Sequence, residues 1–410
     1  MKKQVSQDTK KQIQKFRESG IWLNEAAEFD HAFWLNTEQK ERLMPVFEAC
    51  GIKNRRENRL NFEVLMGNLL EHGHRQAVFV SLHPKHWRKS QYSRAGESTI
   101  TIINNLHKQG YLGMKKGYQT AKESRYTRIW PTEKLLQYFR ELPHGVHYEP
   151  VNLVELKDEN GNLTYYKDTA KTRQIKTILE RANKINKDAD IRYRKDNLNA
   201  SLVAVFTRKF TLYGRLHTRG YRHYQGFAED ERAEIPINGE PVIELDYSGL
   251  HPHLLYAKEG IQFSGDPYSI VDDRPAARPF LKQILLRMLN AKDETAAERA
   301  SNFWLYHNHS ERESLKEIGI TRARPVIEVF RQAHKKIDHY FCNGSETGLR
   351  VMNKDAQIAL DVVNHFSKQG IPILGIHDSF IVQERHRDEL HRIMKTVYRK
   401  HTGGFWVPIK

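Results

Sequence analysis

Cysteine is almost missing from this chain of 410 residues: Cys50 and Cys342 are the only two, and neither belongs to a Cys-x-x-Cys pair or stands beside a histidine cluster. That argues against a disulfide framework and against a structural zinc, the 21 histidines being scattered along the chain. Long apolar runs are missing too. None approaches the roughly 20 residues that cross a bilayer, and the start, Met1 to Gln7, leads into charged sequence rather than an apolar signal segment. A cytoplasmic location with no membrane partner is therefore expected. No internal repeat or low-complexity tract is present. Acidic residues are the scarcer charge, 50 Asp plus Glu against 66 Lys plus Arg, leaving a formal +16 and a pI near 9.5. Such an excess attracts a polyanion and makes binding fall steeply with salt, a property that ribosomal and nucleoid proteins share with nucleic-acid enzymes. The length suits two or three domains.

Two short segments carry the most chemical information. Val242 to His251 and Ile373 to Val382 each contain an apolar run that delivers one aspartate, Asp246 or Asp378, to the end of what reads as a buried strand. A carboxylate closing an apolar strand is costly to bury unless something cationic neutralises it. Either aspartate alone also fits a helix cap or strand-end turn. Together on neighbouring strands they suit Mg²⁺, which prefers carboxylate oxygens and completes its shell with substrate phosphates and water. Between them Arg278, Lys282 and Leu286 lie four residues apart on one predicted helical face that Asn290 continues. Such a face is either a solvated basic surface or, given its place between the aspartates, a phosphate-binding one.

On these residues the chain resembles the superfamily of family A DNA polymerases and phage-type single-subunit RNA polymerases. Asp246-Tyr-Ser-Gly-Leu250 is similar to motif A, and His377-Asp-Ser379 to motif C. Tyr213 to Thr218, with Gln225 and Arg232 beyond it, is similar to the Gly-Arg-Leu segment that meets primer-template, and Arg278 to Lys282 with Asn290-Ala291 to the motif B fingers helix. Arg350 to Gln357 stands where the family places a polar contact to the primer terminus, here Asn353. The resemblance runs from about residue 170 to the end of the chain. Departures fall at discriminating positions: His251 replaces the sugar-gating glutamate of the DNA enzymes and the glycine of the RNA enzymes, Asn290-Ala291 replaces Tyr-Gly, and Ser379 replaces the glutamate that follows motif C in DNA polymerases.

The amino-terminal part is organised separately. Residues 1 to about 55 are polar and helix-prone, with Phe16, Ile21, Trp22 and Leu23 as apolar anchors. A helix is expected from Leu60 to His72, a strand over Ala77–Leu82, a helix over Gly96–Lys108, and two strands at Gly110–Tyr118 and Arg125–Pro131 joined by a charged loop. Helix followed by a basic two-stranded wing resembles a winged helix-turn-helix. Ser98 and Thr99 would meet a DNA groove and Lys115, Lys116, Lys122 and Arg125 the phosphates; the same fold also serves as a protein-contact scaffold. Asp158-Glu-Asn-Gly161 signals a hairpin turn, and Lys167–Lys195 a basic helix.

The expected fold class is therefore α+β: a right-hand polymerase with an antiparallel palm sheet and helical fingers and thumb, preceded by a winged helix-turn-helix. The expected divisions are a helical segment 1–58, the winged helix 59–145, a hairpin linker 146–170, thumb and start of palm 171–240, and palm 241–410 with fingers at about 268–345. The resemblance implies a template-directed nucleotidyltransferase, in the first place a minimal DNA-directed DNA polymerase without proofreading, its size and modularity suiting a phage or mobile element. It would take DNA primer-template and nucleoside triphosphates as partners, with two Mg²⁺ ions, or Mn²⁺ in their place, on Asp246 and Asp378. Arg278 and Lys282 would grip the triphosphate, with Lys282 donating a proton to pyrophosphate. His251 would face the sugar, and Tyr247 and Asn290 would lie on the nucleotide side. Arg215, Gln225, Arg232, Asn353 and His377 would contact primer-template. A primase or RNA polymerase shares every one of these residues. A replication initiator or regulator that binds a specific DNA site through the winged helix and keeps a weakly active palm is the alternative of another class.

Overall fold

The computed structural model describes residues 26–410 apart from 74, 89, 120–123, 143–145, 195 and 220–222. Phe16, Ile21, Trp22, Leu23 and Lys122 lie outside the described residues. The chain divides into two compact units, Met1–Asn152 and Leu153–Lys410. Among the described residues no helix is long and apolar enough to cross a membrane.

The first unit runs β1 (Ala27–Glu28), β2 (Phe33–Trp34), α1 (Thr37–Arg42), α2 (Met44–Ala49), α3 (Arg56–His72), β3 (Val78–Val80), α4 (Ser98–Lys108), β4 (Leu112–Lys115), β5 (Tyr118–Gln119), β6 (Ser124–Arg125), β7 (Thr127–Pro131), α5 (Glu133–Arg140) and β8 (His147–Tyr148). Helix α1 starts where Asn36 and Gln39 close a reciprocal capping box. Helix α4 buries Thr99, Ile102, Ile103 and Leu106, the spacing of a one-faced amphipathic helix. That face joins Leu65 and Leu69 of α3 and Val78, Leu112 and Ile129 of the strands in one core, to which Leu43, Val46 and Phe47 also belong. Each such aliphatic side chain contributes about 1.5–3 kcal/mol on leaving water. Residues 35–50 thus share the core of the helix-and-wing segment. The sheet order is β1-β3-β7-β4, parallel between β1 and β3 and antiparallel elsewhere, with β5 and β6 extending the β4–β7 pair as a separate short ribbon.

The second unit begins with β9 (Val154–Lys157), followed by α6 (Ala170–Asp188), the small hairpin β10 (Arg192–Tyr193) and β11 (Asp196–Asn197), the long pair β12 (Leu202–Thr207) and β13 (Lys209–Thr218), and α7 (Glu229–Ala233). The turn expected at Asp158–Gly161 forms, bridging Lys157 to Leu163. Its first strand does more than link: β9 pairs in parallel with β12, and Val154 is fully buried. Next come β14 (Val242–Asp246), α8 (Leu250–Lys258), α9 (Arg278–Asn290), α10 (Glu294–His307), α11 (His309–Glu317), α12 (Ala323–Ala333), α13 (Thr347–Lys368), β15 (Leu374–Ile376), β16 (Ser379–Gln383) and α14 (Arg387–Thr402). Strand β16 lies between β14 and β15, antiparallel to both. Phe380, Ile381 and Val382 are all fully buried, as a central strand covered on both faces requires. The fold is α+β, with open sheets and long helices.

Candidate active site

Strand β14 ends at Asp246, and β15 and β16 are joined by the two-residue turn His377-Asp378, in which His377 takes a left-handed φ of 59°. Because Asp246 is paired with Ser379, the neighbour of Asp378, the register brings the two aspartates to the same end of the sheet. The chain then turns sharply. Gly249 has φ 65°, and a Cβ there would stand 2.7 Å from Pro267 Cγ, so this position needs glycine on two counts. The turn starts α8 and brings His251 to the same cleft. Across it lies α9 with Arg278 and Lys282. The cleft has a volume of about 310 Å³ and is lined by both aspartates, both of these cations, Arg215 and His251, with Tyr268, Leu286 and Lys410 among its other walls.

Arg215 reaches the cleft through a kink in β13. Tyr213 and Gly214 both have positive φ, 62° and 84°, at an irregularity in the β12–β13 register. A side chain on Gly214 would meet Phe206 Cε1 at 2.7 Å and Asn353 Nδ2 at 2.8 Å. Arg215 donates from Nε (3.0 Å) and Nη2 (2.5 Å) to Oδ2 of Asp355 on α13, and its Nη2 lies 3.1 Å from His251 Nε2. Asp355 is 1% exposed, and burial alone would raise its pKa. The contact with His251 and the charge of Arg215 outweigh that and hold the carboxyl below its ordinary range.

The two aspartates of the cleft are in the opposite condition. Neither forms an ion pair with a described residue. Burial, and then the charge of Asp378, push Asp246 up to about 7, against the pull of Lys282 and Lys410. Burial, and then the charge of Asp355, push Asp378 up as well. His377 is held neutral, its pKa lowered to about 4 by burial and the charge of Arg215. Two half-buried carboxylates lacking a described counter-ion offer oxygen ligands to a hard divalent cation, which protein sites often hold through one or two carboxylates. Among the described residues no group of three or more His, Cys, Asp or Glu side chains is arranged to hold a metal.

The remaining candidates divide by what their side chains touch. Arg278 is in the cleft, its guanidinium bound to Asp266 and lying 5.0 Å from the ring centre of Tyr268. Lys282 has no described ion-pair partner. Tyr247 lines the cleft, yet its phenol is buried and donates to the carbonyl of Met394 at 2.6 Å. Asn290 ends α9 outside the cleft lining, with Nδ2 donating to Leu286 O at 2.7 Å. Gln225 is a structural brace: its Oε1 accepts from Thr218 N and its Nε2 donates to Leu216 O and Gly375 O. Arg232 forms a two-point pair with Glu244, which also accepts from Ser379 Oγ at 2.6 Å. Asn353 is buried, donating to Tyr213 O and accepting from Gln357. His377 stacks edge-on to His217, ring centres 5.3 Å apart.

In the first unit Ser98 hydrogen-bonds Asn58 and Asn61 of α3, and Thr99 is fully buried, so both side chains face the protein. Lys115, Lys116 and Arg125 are exposed on the β4–β7 side. Asp355 and Lys410 entered the site unannounced. Asp355 had a signal, an acid on the stripe Val351, Ile358, Val362 and Phe366 that α13 buries; Lys410 had none.

No protein-family model matches the chain, and no curated protein matches it. Among solved structures the POL domain of Pol1 from M. smegmatis, in complex with DNA primer-template and dNTP, is similar to it at 11% identity and a TM-score of 0.28. The match covers 91% of this chain and 63% of that one, so the chain spans less than two thirds of that structure's length. A likeness of this size is distant and adds no argument about the site.

Proposed function

We propose that the second unit is the catalytic core of a template-directed nucleotidyltransferase, in the first place a minimal DNA-directed DNA polymerase without proofreading, with a palm on β14-β16-β15 and fingers built on α9–α12. The observation that carries this reading is the cleft itself. Two half-buried carboxylates without described counter-ions, from strands distant in sequence, share a cleft of about 310 Å³ with Lys282 and Arg278, a volume within the range of small-molecule sites. Asp246 and Asp378 fit two Mg²⁺ ions, or Mn²⁺ in their place, which when bound supply charge neutralisation at the attacking hydroxyl and the departing phosphates.

The side chains of this chain do the rest. Lys282 holds the triphosphate, with Arg278 joining it by exchanging Asp266 for a phosphate oxygen; the two balance the charge that builds as the bond to the α-phosphate breaks, and Lys282 gives a proton to the leaving pyrophosphate. His251, fixed by Arg215 and Asp355, faces the sugar. Arg215 stands on the primer-template side and is held there by its pair with Asp355. Gln225, Arg232 and Asn353 act on this reading by bracing strands, since their polar groups are spent inside the protein.

In the first unit α4 followed by the β4–β7 pair is read as a winged helix, with Lys115, Lys116 and Arg125 offered to DNA phosphates. This supports a second reading, a site-specific DNA-binding initiator or regulator. One experiment separates them: extension of a defined DNA template, with and without primer, offering deoxyribonucleotides and ribonucleotides separately in Mg²⁺. Primer-dependent deoxyribonucleotide incorporation, lost in Asp246→Ala and Asp378→Ala, is expected. Ribonucleotide product without a primer would make the protein a primase or RNA polymerase. No product in any lane, with specific DNA retained by the full chain, would leave the second reading.

A further inference from the structure

Residues 408–410 form an extra edge on the sheet that carries Asp246. Ser248 N donates to Pro408 O at 2.9 Å, Asp246 N to Lys410 O at 3.1 Å, and Lys410 N to Asp246 O at 2.9 Å, with Tyr247 bridged antiparallel to Ile409. The approach is anchored: Val407 is 3% exposed, and Trp406 exchanges hydrogen bonds with the side-chain amide of Gln262. Strand β14 is therefore paired on both sides, with β16 on one and residues 408–410 on the other.

Lys410 and Asp246 exchange both of their backbone hydrogen bonds, so they are directly opposed in an antiparallel pair. Residues so opposed project their side chains from the same face of the sheet, with Cβ atoms about 5 Å apart. The backbone pairing thus delivers the Lys410 ammonium to the face on which the Asp246 carboxylate stands, and Lys410 lines the cleft. Of the two cations on α9, Arg278 is already bound by Asp266, whereas Lys282 and Lys410 have no described ion-pair partner. An anionic ligand entering the cleft meets two ammonium groups without described ion-pair partners, one on α9 and one on the 408–410 edge.

We infer that Lys410 is a phosphate-binding residue of the cleft, acting with Lys282 on the β- and γ-phosphates of a nucleoside triphosphate and on the pyrophosphate it releases. The inference rests on the nucleotidyltransferase reading and deepens it by assigning a second lysine, from outside α9, to the phosphate chain. Lys410 holds the sheet through its backbone alone, so its side chain can be changed without removing that edge.

The test uses the full chain in Mg²⁺ on a dideoxy-terminated primer-template, with the wild type, Lys410→Ala and Lys410→Arg compared by calorimetry. The titrants are the templated deoxynucleoside triphosphate, its monophosphate and inorganic pyrophosphate; thermal melting is followed in parallel. Lys410→Ala is expected to bind the triphosphate and pyrophosphate about tenfold more weakly, as befits loss of one charge-assisted contact. The monophosphate should be bound as before, Lys410→Arg should recover most of the loss, and all three proteins should melt alike. Triphosphate affinity falling while pyrophosphate affinity stays would overturn the pyrophosphate contact and confine Lys410 to the bound substrate. Wild-type affinities in Lys410→Ala would overturn it while leaving the nucleotidyltransferase reading intact. So would a loss that Lys410→Arg does not restore and that comes with a lowered melting temperature, because the residue would then act only in the sheet. A wild type that binds neither phosphate ligand and extends no primer would overturn both.

Discussion

Asp355→Asn should be among the most destabilising single-atom changes in the second unit. The Asp355 carboxylate is 1% exposed, its Oδ2 takes both hydrogen bonds from Arg215, His251 Nε2 lies 3.4 Å away, and its Oδ1 has no partner. Asparagine keeps an acceptor for the guanidinium but removes the charge that compensates it, and places an amide N–H₂ where no acceptor stands. Breaking a buried pair from one side costs about 3–5 kcal/mol. The retained acceptor puts Asp355→Asn near the lower end, about 3 kcal/mol, which lowers the melting transition of a unit this size by roughly 6–12 °C. Arg215→Met strands the other charge and should cost a similar amount, whereas the double variant should cost less than the sum by about 1 kcal/mol or more. The folded pKa of Asp355 lies below the ordinary 3.8, so its contribution is present at neutral pH and lost as pH falls below that value. Circular-dichroism melts of the three variants at pH 7, repeated toward pH 3, test this. An Asp355→Asn melt within about 2 °C of the wild type, or strictly additive losses, would refute a buried, charge-compensated pair.

The metal-free cleft has the opposite pH dependence. The folded pKa of Asp246, about 7, lies above its ordinary 3.8, so its stabilising contribution is complete below about pH 4 and is lost as pH rises through 7. Asp246→Asn should therefore melt higher than the wild type in chelator at pH 8, by less at pH 5, and converge with it only below about pH 4; equal melts at pH 8 would show that the charge is not trapped. Gly249→Ala combines a left-handed φ with a Cβ 2.7 Å from Pro267 and should cost about 1–3 kcal/mol, whereas Gly260→Ala, at φ 72° with nothing within 4 Å, should cost about 1 kcal/mol. Urea unfolding of the pair compares them, and equal midpoints would remove the steric part of the argument.

What could be read from the sequence was what local pattern encodes. Helices α4 and α9 were visible because their apolar residues recur at helical spacing, and Asp246 and Asp378 because each interrupts an apolar run at a strand end. The boundaries at the first unit were less visible, since residues 35–50 show little periodicity and owe their place to a core shared with α3 and α4. Gln225, Arg232 and Asn353 were expected to contact primer-template because the resemblance put them there. Their partners, Gly375 O, Glu244 and Tyr213 O, lie in other segments, and only the tertiary arrangement reveals that these groups are already satisfied.

The carboxylates in and near the cleft divide into two kinds. Glu244 is matched by Arg232 and Ser379, and Asp355 by Arg215, each with the geometry that makes a buried charge tolerable. A fold that matches these two could have matched Asp246 and Asp378 as well; Arg278, on the same wall, is instead held by Asp266. The two aspartates are left with raised pKa values, Asp246 through burial and the charge of Asp378 and Asp378 through burial and the charge of Asp355, in a cavity open enough to admit a ligand. Unmatched charge that is partly withdrawn from water lowers stability, and groups of this kind cluster at functional sites. Lys282 and Lys410 line the same cleft, so on the nucleotidyltransferase reading a ligand that suits both sets of charges brings positive charge to the carboxylates and negative charge to the lysines at once. A metal-bound polyphosphate has that composition.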